Sequence, residues 1–172
     1  MQLVAHPANG GGPVSDLVAY VIRVPNGLRI SFKATGDMDS IILPADVGPA
    51  RTDELWRHTC FEIFLRSRTT AYAEYNFATS GAWAAYGFDG QRDGMHNLAV
   101  AAPAISVERD EANLWLKATI GLPTWLRGAA LECNLTAVIE ATDGTRHYWA
   151  LAYGGGPPDF HDPSCFLARL PK

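Results

Sequence analysis

Side chains able to do chemistry crowd into one stretch of the chain, from Asp53 to Met95. Read by alternate positions, Trp56, His58, Cys60, Glu62 and Phe64 set an indole, an imidazole, a thiol and a carboxylate in one row. Thr59, Phe61, Ile63 and Leu65 form a second, mostly apolar row. Successive side chains of a strand point to opposite faces, so one segment can supply a core with one row and a site with the other. The next segment repeats the pattern, with Tyr72, Glu74 and Asn76 on one face and Ala71, Ala73, Tyr75 and Phe77 on the other. Paired as antiparallel neighbours, the two segments line one concave face with Glu62, Glu74 and Asn76 beside Trp56. An aromatic ring covers the C–H face of a sugar, and carboxylate and amide groups bond its hydroxyls. The row therefore predicts a binding face for a carbohydrate or similar polar small molecule. Trp56 stacks on the ligand, Glu62, Glu74 and Asn76 bond it, and Tyr86 and Arg92 contribute from the rim.

The elements that must position these residues are short strands. Period-two patterning predicts strands over 17–24, 28–35, 40–43, 59–65, 72–78, 82–88, 105–109, 114–120, 131–141 and 146–153. Pro25-Asn26-Gly27 and Thr142-Asp143-Gly144-Thr145 are hairpin turn signals. Residues 1–16, with Asn9-Gly-Gly-Gly-Pro13, read as a leading arm. Only 122–128 looks helical, for one or two turns. Many short strands with Gly- and Pro-rich turns predict an all-β fold, an antiparallel β-sandwich in a single domain spanning 1–172.

The chain has 172 residues, about half of them hydrophobic, and a net charge of −4. It is long enough to bury a core. Its mildly acidic balance, without a basic run, argues against nucleic acid or an anionic membrane surface as partner. No apolar run approaches the ~20 residues of a membrane span. The N-terminus lacks the charged and apolar regions of a secretory signal, so a cytoplasmic location is expected. Cys60, Cys133 and Cys165 are an odd, sparse set that gives no disulfide framework. Neither cofactor nor metal is called for. His58-x-Cys60 lacks the paired spacing of a zinc site.

Three runs carry a family likeness: Leu-Trp-x3-Cys-Phe-Glu-x-Phe-Leu at 55–65, Tyr-x-Glu-Tyr-Asn-x4-Gly at 72–81, and Pro-Asp-Phe-His-x-Pro-x-Cys-Phe at 158–166. With them the chain resembles DOMON-like proteins related to family 9 carbohydrate-binding modules, a β-sandwich group. The resemblance implies sugar binding through an aromatic residue ahead of a strand that carries an acidic ligand, matched here by Trp56 and Glu62. The following strand of the modules supplies another polar ligand, commonly basic, and Glu74 stands there. A second, late aromatic sandwiches the ring in the modules. Phe160 or Trp149 is the counterpart here.

Rival readings stay open at this level. Glu62 and Glu74 are also the residue types of a glycoside-acting acid and base. A DOMON-type haem or metal site would draw on Met95 and His96. Alternatively, the segment 154–166 blocks the face and the domain acts through protein partners. The oligomeric state is not legible.

Overall fold

The computed structural model describes residues Met1–Lys172. Twelve strands build two antiparallel sheets packed as a sandwich. In chain order they are β1 (Val4–Ala5), β2 (Val14–Val24), β3 (Gly27–Gly36), β4 (Cys60–Arg66), β5 (Tyr72–Ala78) and β6 (Trp83–Phe88). Then come β7 (His96–Asn97), β8 (Ala104–Arg109), β9 (Asn113–Gly121), β10 (Leu131–Glu140), β11 (Arg146–Ala150) and β12 (Ala168–Leu170). The larger sheet runs β1-β11-β10-β4-β5-β6-β7, with β12 also paired to β10. The smaller runs β2-β3-β9-β8. No helix is long and apolar enough to cross a membrane.

Period-two patterning explains how the sheets meet. Phe61, Ile63 and Leu65 of β4, Tyr75 and Phe77 of β5, and Leu135, Ala137 and Ile139 of β10 face inward. They meet Leu28, Ile30 and Phe32 of β3 and Leu114, Leu116 and Ile120 of β9 in one apolar cluster. Phe32 and Phe61 join the two layers, with ring centroids 5.1 Å apart. The two expected turns close hairpins. Asn26, in the left-handed region at φ 57°, links β2 to β3, and Gly144, at φ 83°, lies between β10 and β11.

Local chemistry overrides the pattern in several places. The expected strand over 40–43 is absent. Asp37 instead caps a 3-10 turn, Met38–Ser40, accepting from the Asp39 N–H and the Ser40 hydroxyl, and buried Met38 plugs the core. Only a single bridge, Ile41 to Ala141, remains there. The leading arm is stitched in rather than loose. Leu3 is buried and its N–H donates to the Leu17 carbonyl at 2.9 Å, while β1 pairs with β11. The segment 122–128 holds one 3-10 turn, Thr124–Leu126. The strand expected over 146–153 stops at Ala150.

Candidate functional site

On the outer face of the larger sheet lies a second, smaller apolar cluster: Phe64, Tyr72, Ala84, Tyr86, Phe88 and Phe166. Beside it opens a cavity of about 370 Å³, within the ~300–1,000 Å³ typical of small-molecule sites. Its walls include Trp56, Glu62, Phe64, Glu74, Arg92, Tyr148, Phe160 and His161.

Strand register brings the two glutamates there. Glu62 of β4 stands opposite Asn76 of β5 and Thr136 of β10, and Glu74 of β5 stands opposite Phe64 and Tyr86. Glu62 is 2% exposed and Glu74 4%. The Thr136 hydroxyl donates to Glu62 Oε2 at 2.8 Å. The Asn76 amide donates to Glu74 Oε1 at 2.7 Å. Neither glutamate forms an ion pair with an arginine. Burial pushes both carboxyls well above the ordinary carboxylate range, and the negative charge of Glu74 raises Glu62 further. The Thr136 bond, and for Glu74 the Asn76 bond and Arg92, pull the other way without cancelling the cost of burial.

Trp56 reaches the cavity from outside the sheet. It rides on a 3-10 turn, Leu55–Arg57, entered through Glu54 in the left-handed region at φ 60°. The indole packs edge-on against Tyr86, with centroids 5.9 Å apart, and stays half-buried. The parity row therefore holds from Cys60 onward and not before it. His58, expected on that row, is exposed and pairs with Glu140 at 2.7 Å. Two other expected residues stand behind the wall. Asn76 is fully buried and positions Glu74. Tyr86, expected at the rim, is buried and donates to Asp53 at 2.7 Å.

Arg92 lines the cavity and pairs with Asp159 at 2.8 Å. That pair pins the 158–162 segment across the sheet. The Gln91 amide also donates to Asp159, at 3.1 Å, and the Asn134 amide donates to the Phe160 carbonyl at 3.0 Å. Tyr72 completes the clamp: its hydroxyl accepts from the Arg92 N–H at 3.1 Å and is hydrogen-bonded to His161 Nδ1 at 2.7 Å. The other ring nitrogen, Nε2, lies 3.9 Å from Glu74 Oε2. Burial, with Arg92 nearby, holds His161 down to about 4, so the imidazole is neutral at neutral pH.

Phe160 is the late aromatic that reaches the cavity, whereas Trp149 lies in the main core on the opposite face. Trp83 is core as well. The segment 154–166 covers part of the outer face and leaves the cavity beside it. Arg57, Arg146, Tyr148 and Val138 also line the cavity and escaped the sequence reading, as did Met95 as anything but a haem or metal candidate; Phe88 and Pro158 complete the lining. Arg146 and Tyr148 share one face of β11, a signal that could have found them. Arg57 and Met95 lie outside regular strands and left no such signal. Met95 lines the cavity and the adjacent His96 does not. No cluster of three or more His, Cys, Asp or Glu side chains is arranged to hold a metal ion. All three cysteines are buried and unpaired.

No protein-family model matches the chain, and no curated protein matches it in sequence. Its structure does have a relative. A putative carbohydrate-binding protein from Bacteroides uniformis ATCC 8492 superposes with a TM-score of 0.72 over 97% of this chain and 83% of that one, at 14% sequence identity. The two share a fold.

Proposed function

We propose that residues 1–172 act as one non-catalytic binding domain for a carbohydrate, of the DOMON-like type related to family 9 carbohydrate-binding modules. The observation that carries this reading is the cavity itself. A half-exposed indole, two buried carboxyls and two further rings, Tyr148 and Phe160, converge on one space of sugar-binding size. Trp56 covers the C–H face of the ring. Glu62 and Glu74 each keep one oxygen for the protein and offer the other to a ligand hydroxyl. Asn76 and Tyr86 act from behind, holding Glu74 and Trp56. The fold shared with a putative carbohydrate-binding protein supports the same class.

Titration calorimetry of the protein against a glycan panel tests it, with Glu62→Ala as control. Saturable binding that the variant loses supports the proposal, and no binding at millimolar concentration overturns it. One observation favours a second reading, a glycoside-acting enzyme. Two carboxyls whose burial favours the protonated form line the same cavity, which is the raw material of an acid–base pair. Release of nitrophenol from aryl glycosides, abolished in Glu62→Gln and Glu74→Gln, would establish that reading in place of the first.

A further inference from the structure

One guanidinium in the cavity lining has no carboxylate partner. Arg57, Arg92 and Arg146 all reach the lining, in a chain of net charge −4. Two of them have partners: Arg57 pairs with Glu54 at 2.8 Å and Arg92 with Asp159 at 2.8 Å. Arg146 pairs with no carboxylate. Its Nε donates to the backbone carbonyl of Arg57 at 2.7 Å. That bond ties the start of β11 to the turn that carries Trp56. It leaves the terminal amines of a guanidinium without an acid, in the same cavity lining as Arg57 and Trp56.

A guanidinium fork matches a carboxylate, donating two parallel N–H bonds to its two oxygens. A neutral sugar would satisfy the indole and the floor of the cavity and leave that fork to water. The floor does not forbid an anion. Glu62 and Glu74 are buried side by side, and burial disfavours their charged forms. Each has one oxygen engaged, by Thr136 and by Asn76. A protonated carboxyl offers an O–H to the ligand in place of a repelling charge.

We propose that the ligand is an acidic sugar, a hexose bearing one carboxylate, whose ring lies against Trp56 and whose carboxylate is held at the mouth by Arg146 with Arg57 beside it. This rests on the carbohydrate-binding reading above. One unpaired guanidinium suits one negative charge. The basic rim also concentrates an anionic ligand at the mouth of an otherwise acidic protein.

The test is calorimetric titration of the full chain with D-glucuronate and D-galacturonate beside their neutral parents, D-glucose and D-galactose, at low and high salt. The uronates are expected to bind about fivefold tighter or more, as a charge-assisted bond at a partly screened site allows. The preference should shrink as salt rises. Arg146→Gln should erase the preference, the uronates falling to the affinity of their neutral parents measured on the same variant, while Arg146→Lys, which keeps the charge, should retain part of it. Parents that bind as tightly as the uronates, or a preference that survives Arg146→Gln, overturn the acidic-sugar inference and leave the carbohydrate reading standing. No binding in either series overturns both.

Discussion

Glu62 is a carboxylate held where ionisation is expensive, 2% exposed and near a second buried carboxylate. That cost makes stability depend on pH with a definite sign. Below the ordinary carboxylate value of 4.5, the folded and unfolded chains both carry the proton and no charge is buried. As pH rises, the unfolded chain releases its proton first. Stability then falls, and keeps falling until the folded carboxyl ionises too, at its raised value. Glu62→Gln keeps the shape and can still accept from Thr136. It is expected to flatten this decline and to be the more stable protein on the alkaline side, by an amount on the order of a few kcal/mol. Denaturant melts across that pH range check it, and parallel curves for the two proteins would contradict it. At this scale the sequence was informative wherever a regular strand ran. Parity put Glu62 and Glu74 on one face because Cys60–Arg66 and Tyr72–Ala78 do pair in register. It misplaced His58, because that residue ends the 3-10 turn Leu55–Arg57 and precedes the strand, where alternation means nothing. It also could not tell lining from backing. Asn76 and Tyr86 share the face but lie beneath it, which depends on how neighbouring side chains stack.

Among the elements, the segment over the cavity is the one built to be separable. Residues 158–162 belong to no strand, and they hold to the sheet by a handful of polar contacts centred on Asp159 and His161 and by the packing of Phe160 and His161 on Phe64. Asp159→Ala removes the pair with Arg92, the Gln91 bond and the side-chain acceptor of the His161 N–H. The ion pair is half-exposed, so the expected loss of global stability is only about 1 kcal/mol or less. The local effect should be larger: amide exchange over 158–162 quickens while β4 and β5 stay protected. Unchanged exchange in that segment would show that the apolar contacts of Phe160 and Phe166 hold it alone. Most strands were legible because one row of each had to be apolar to fill the sandwich. The two-residue β7, and β12 with its three residues, were not, since pairing that short is decided by the neighbouring strand and not by pattern. The segment 40–43 was misread because the capping chemistry of Asp37 and Ser40 outweighs a short apolar run.

At the scale of the molecule, the two sheets divide the labour. The face between them holds the fold, and the outer face of the larger sheet holds the cavity. Substitutions should separate along that line. Phe61→Ala empties the contact with Phe32 between the layers, so a loss of about 3–5 kcal/mol in denaturant unfolding is expected. Trp56→Ala removes a half-buried ring from a turn and should cost far less stability, about 1 kcal/mol. The central claim is that this outer cavity takes a sugar ring against that indole. The measurement that tests it most directly is calorimetric titration of the wild-type protein and Trp56→Ala with the same panel of neutral and acidic sugars. Saturable one-site binding in the wild type, weakened about tenfold or more in a variant that remains folded, is the predicted result. No binding by the wild type, or equal affinity in the two proteins, would contradict it.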